Sequence, residues 1–117
     1  MKYMFLSYVP PGVMDSLSDE EQAAWWADDD VFQKLLAERD CVVTGEPLAD
    51  AGTATTVRVK DGEATLTDGP YAETAEQLGG ILVIDVADLD EALDIAKRCP
   101  AAQLGPLEVR PVGPRPR

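Results

Sequence analysis

The chain has 117 residues, 45% of them apolar, and sets 22 Asp and Glu against ten Lys and Arg for a formal net charge of −12, with no histidine. That length suits one domain, and that apolar share excludes wholesale disorder. The acidic balance argues against nucleic acid as a partner, because phosphate contacts need clustered cations and the one dense basic spot is Arg110, Arg115 and Arg117.

Residues 2–9 predict a strand in which Met4, Leu6 and Tyr8 alternate with Tyr3, Phe5, Ser7 and Val9, so both faces are largely apolar. This stretch lacks the small-residue cleavage site of a leader and ends at Pro10-Pro11-Gly12. The longest run of large apolar residues, Ile81 to Ile84, falls far short of the roughly 18 that a bilayer span requires, so no membrane is expected. Ser18 then opens a helix, with Glu21 completing a capping box. The helix runs to about Asp40, its apolar stripe made by Ala24, Trp25, Val31, Phe32, Leu35 and Leu36. Asp28-Asp29-Asp30 resembles a cation site, but consecutive helical residues point about 100° apart and cannot converge on one ion. They read as a solvated face, and no metal or other cofactor is expected. Of Trp25 and Trp26, one reads as core and the other as rim or interface.

A strand is expected over 41–48, then a Gly/Ala/Asp-rich loop at 49–53. A hairpin follows, with arms 54–60 and 63–68 joined by Asp61-Gly62, two residues that tolerate the positive φ of a tight turn. Its first arm alternates Thr55, Val57 and Val59 with Thr56, Arg58 and Lys60, which leaves one wet face. Within 69–79, Ala72 to Leu78 predicts a short helical turn closed by a left-handed Gly79. Residues 80–86 form a strand that is apolar on both faces. Asp88 caps a second helix, with Glu91 at its third position and Leu89, Ala92, Leu93 and Ala96 on one face; Pro100 stops it. A last strand spans 107–112, and the Pro/Arg tail 113–117 is expected to be mobile. Cys41 and Cys99 have neither CxxC spacing nor the company of a disulfide framework. They read as reduced thiols of a cytoplasmic protein.

The order is β-α-β-(hairpin)-β-α-β. Two helices cover one face of such a sheet, yet strands 2–9 and 80–86 present apolar residues to both. The same sheet of a second copy solves this, since two-fold homodimers are the commonest oligomers. The expectation is a ferredoxin-like α+β subunit over 1–112 that dimerises through its sheet. The competing expectation is that the hairpin folds back over the second face.

Asp68-Gly69-Pro70-Tyr71, followed by Ala72-Glu73-Thr74 and Glu76-Gln77-Leu78-Gly79-Gly80, resembles the signature of the YCII-related family in its DGPF-motif branch, with Tyr71 where that branch usually has Phe. Ala54 to Val59, Arg98 to Ala102 and Glu108 to Val112 add to the likeness. The resemblance implies a dimeric α+β barrel of ill-defined activity and a link to extracytoplasmic-function sigma factors. Some relatives in the wider family look like small-molecule enzymes, with a His on the first helix and an Asp just before a Pro near the end of the second. Here there is no His, and Cys99 precedes Pro100. That His–Asp pair is therefore excluded.

Without histidine, proton transfer near neutral pH needs a carboxylate or thiol shifted by its surroundings. Asp68 is the candidate acid or base, with the competing role of capping the 71–78 turn. Tyr71, Glu73, Arg110 and Tyr8 are candidate ligand-binding residues, and Arg110 could equally pair with Glu108 or Asp68. Three functions follow: a regulatory or ligand-binding homodimer, a lyase, isomerase or hydrolase working through Asp68, or a dimer whose motif only builds the fold.

Overall fold

In the computed structural model the described residues are 1–114; the tail expected to be mobile lies partly outside them, at 115–117. Strand β1 spans Lys2–Val9, helix α1 Asp19–Arg39, β2 Val42–Pro47, β3 Thr55–Lys60, β4 Glu63–Asp68, β5 Gln77–Asp85, helix α2 Leu89–Ala96 and β6 Leu107–Pro111. Single 3-10 turns sit at Ala51–Thr53 and Pro100–Gln103. The main sheet is antiparallel in the order β2-β5-β1-β6, the ferredoxin-like arrangement, with β1 between β5 and β6.

The register sorts the side chains. Tyr3 faces Ile84, and Phe5 faces Leu82 and Val109, all on the helix side. There Tyr3, Phe5 and Ile84 meet Phe32 and Leu36 of α1 and Ala92 and Ile95 of α2 in one buried cluster. On the opposite side Met4 pairs with Val83, and Leu6 with Ile81. No helix or strand of the described chain lies over that second face. The hairpin does not fold back onto it: among the described residues β3 and β4 pair with each other as a separate two-stranded sheet, and neither packs substantially on β1 or β5. Its turn has the expected form, with Asp61 at φ 52° and Gly62 at φ 81°.

Local chemistry explains both helix starts. Ser18 accepts from the Glu21 N–H while the Glu21 carboxylate accepts from the Ser18 N–H, the reciprocal box read from the sequence. Asp88 does the same work for α2 by accepting from the Glu91 N–H. Three expectations need correction. The stripe of α1 is narrower than expected, because Phe32 and Leu36 are buried while Val31 is exposed. The inner face of α2 is Ala92, Ile95 and Ala96, with Leu89 and Leu93 on its rim; Ile95, not Leu93, fits between the helix and the sheet. Finally, residues 71–76 form bends rather than a helical turn, and β5 starts at Gln77 rather than Gly80. The left-handed residue of the motif is Gly69, φ 98°. The Gln77 side-chain amide donates to the Ala72 and Thr74 carbonyls, which serves groups that a helix would have served by its own N–H donors.

Candidate functional site

Between α1 and the helix side of the sheet lies a cleft of about 550 Å³. Trp25, Phe32 and Leu36 line it from α1, and Phe5, Leu82 and Leu107 from the sheet. A volume and lining of this kind suit a small, mostly apolar molecule. Polar side chains enter at few points, chiefly Ser7, Asp29, Gln33 and Cys99.

A long-range contact links two parts of the cleft wall. The Trp25 indole N–H donates to the Pro100 carbonyl at 3.0 Å, tying α1 to the 3-10 turn that follows α2. Trp26 stands edge-on to Trp25 at 4.9 Å between ring centroids and is more than half exposed, so the pair divides into wall and rim. The turn carries Cys99 at its start, beside the buried Pro100. One turn of α1 beyond Trp25, Asp29 enters the same cleft.

Two groups there are perturbed. Loss of hydration pushes the Asp29 carboxyl above the ordinary aspartate value, the Asp30 charge adds to this, and the Gln33 amide offsets part of it. Burial pushes the Cys99 thiol up, the N–H groups of Ala101 and Ala102 oppose that, and the negative charge of Asp29 adds to it. A thiol shifted upward stays protonated and is a poor nucleophile. Asp29 is the better proton carrier, because its shift moves it toward neutrality. Among the described residues, no three His, Cys, Asp or Glu side chains are gathered to hold a metal ion.

The motif residues lie elsewhere. Asp68 ends β4 opposite Thr55 and is exposed, and among the described residues no hydrogen bond reaches its carboxylate from the 71–78 segment. The motif is pinned to the hairpin root instead by Gly69, whose N–H donates to the Ala54 carbonyl and whose carbonyl accepts from Thr56 Oγ1. Tyr8 and Tyr71 do share a groove of about 660 Å³ at that root, although Tyr71 is 80% exposed. Glu73 is exposed and lines neither cavity. Arg110 lies on β6 with Nε 3.6 Å from Glu108, the nearer of its two expected carboxylate partners. The structure thus brings Tyr8 and Tyr71 together and leaves Asp68, Glu73 and Arg110 apart from them.

From the sequence, Asp29 reads as one carboxylate of a solvated run and Trp25 as core or rim; the structure sets both on the wall of this cleft.

Comparison with known proteins bears on the fold and the family. Residues 1–115 match the YCII-related domain. An uncharacterised protein of Rhizobium meliloti (strain 1021) is 38% identical over 114 residues, covering 96% of this chain and 92% of that protein. Among solved structures, 5-chloro-2-hydroxyhydroquinone dehydrochlorinase from Burkholderia phenoliruptrix, in complex with 2,5-dihydroxybenzoquinone, superposes with a TM-score of 0.57 at 16% identity. The match covers 97% of this chain and 94% of that one.

Proposed function

Because the chain belongs to the YCII-related domain family, we propose that it is a homodimeric small-molecule-binding protein whose ligand is a compact, largely apolar ring compound held in the α1–sheet cleft. The observation that carries this reading is the cleft itself: about 550 Å³, walled by Trp25, Phe32, Leu36 and Phe5, with one partly desolvated carboxylate at Asp29. Apolar walls supply affinity, and a single polar contact fixes orientation. A ligand hydroxyl facing Asp29 would take the place of its lost water. The uncovered sheet face supports the homodimer, the two free cysteines support a reducing, cytoplasmic setting, and the run Asp68-Gly69-Pro70-Tyr71 supports the DGPF-motif branch.

A catalytic reading has its own support. Asp29, raised by desolvation, is suited to take a proton from a bound hydroxyl and return it elsewhere, work that needs no histidine. The dehydrochlorinase shares the fold and was solved with a quinone, which makes quinones and hydroquinones the first probes to try.

Calorimetric titration with 2,5-dihydroxybenzoquinone and a panel of hydroquinones is the test. Saturable one-site binding is expected, weakened at least tenfold by Ala101→Trp, which fills the cleft without touching the main core. If no ring compound in the panel binds, or if Ala101→Trp binds as well as the parent, the cleft is not the site.

A further inference from the structure

The hairpin β3–β4 projects from the subunit with one face dry and, among the described residues, no other helix or strand packed on it. Val57 lies directly opposite Leu66, and Val59 opposite Ala64, so these four share one face. Val57, Val59 and Leu66 are 59%, 69% and 68% exposed. The other face carries Thr56, Arg58 and Lys60. An isolated two-stranded hairpin is marginal in water, and both its strands are free edges. Alternation this clean, with the dry side uncovered, implies that another surface meets it.

We infer that the hairpin is a clasping arm: its Val57–Val59–Leu66 face packs on the second copy of this chain, extending the sheet-to-sheet contact of the dimer proposed above, on which the inference rests. Area favours a second copy as the occupant. The chain exposes 8307 Å², about 2,100 Å² beyond the roughly 6,200 Å² that a monomer of this mass shows. A stable pair needs only about 800 Å² from each partner. The radius of gyration, 16.4 Å, likewise exceeds the roughly 13 Å of a globular chain this long.

Charge picks the side. Helix α1 alone carries seven carboxylates against two cations, so copies meeting through their helices would repel. The hairpin's dry face has a single charge, Asp68 at its root. The open sheet face sets Lys2 and Arg110 against Glu46, Asp85 and Glu108, close to balance. Arg58 and Lys60 on the wet side keep the outside of the arm in water.

Sedimentation equilibrium and concentration-dependent hydrogen exchange on the full chain test this. The wild type should dimerise at micromolar concentration, and Val57→Glu with Leu66→Glu should raise the dimer Kd at least tenfold while far-UV circular dichroism stays unchanged. Amides of 55–68 should lose protection as the wild type is diluted, a readout that stands even if the double variant misfolds. A wild-type dimer with an unchanged Kd in the variant, and exchange of 55–68 independent of concentration, overturns the arm and leaves the sheet contact intact. Leu6→Lys tests that sheet contact separately. A wild type that stays monomeric at high micromolar concentration overturns both.

Discussion

Asp29 illustrates how one residue in a run acquires a different environment from its neighbours. Asp28 and Asp30 are exposed while Asp29 is half-buried, because each step along α1 rotates the side chain by about 100°. Its raised pKa has a definite consequence for stability. The folded state holds the proton more tightly than the unfolded chain does, so the group lowers stability as pH rises from the ordinary aspartate value through the folded one, and the penalty persists at neutral pH. Asp29→Asn is therefore expected to raise the melting temperature at pH 7, with the gain vanishing near pH 3, where both states carry the proton. Thermal melts of the pair across pH 3–8 check this; a gain that is constant with pH would place the effect outside the carboxyl's ionisation. Gly105 yields a second prediction at this scale. A Cβ there would collide with the Tyr8 carbonyl oxygen, so backbone must move to admit any side chain. Gly105→Ala should destabilise the fold in urea unfolding, whereas Gly113→Ala, with open space around it, should not. Neither the orientation of Asp29 nor the tightness at Gly105 is legible in the sequence, since both depend on which turn of chain lies against which.

At the scale of elements, features closed within a few residues read well. The Ser18–Glu21 box, the Asp88 cap and the Asp61-Gly62 turn each stand where spacing puts them, because a cap or a turn needs only its own neighbours. The bends at 71–76 read poorly, because a side-chain amide from Gln77 serves carbonyls that a local rule assigns to a helix. Helix α2 read correctly in existence and incorrectly in rotation: Leu89, Ala92, Leu93 and Ala96 make an acceptable stripe, and only packing against the sheet selects Ala92, Ile95 and Ala96. The rotation is testable. Ile95 is fully buried and Leu93 is 37% exposed. Truncating a buried side chain of this size costs about 2–5 kcal/mol, so Ile95→Ala should fall in that range and Leu93→Ala below about 1 kcal/mol. Equal losses for the two in urea unfolding would mean that α2 packs on the face first read from the sequence.

For the molecule as a whole, the two-faced strands were the informative signal. Met4, Leu6, Ile81 and Val83 alternate with the helix-side set, Val83 itself buried and the other three partly so, and two helices cannot cover both sides, so an apolar face without a layer over it follows from counting layers. In the proposed homodimer a second copy lies against that face, and this sets a salt dependence whose sign distinguishes apolar from ionic contact. Each copy carries a net charge of −12, so bringing two together costs electrostatic work at low ionic strength. Raising salt shortens the screening length from about 14 Å at 0.05 M to about 4 Å at 0.5 M and removes most of that cost, while burial of apolar surface is not screened. The dimer Kd should therefore fall as sodium chloride rises over this range, measured by sedimentation equilibrium at fixed pH. An interface built on ion pairs would respond in the opposite direction. Weakening with salt would thus mean that the copies meet through charged edges rather than through the dry faces of the sheet and its hairpin.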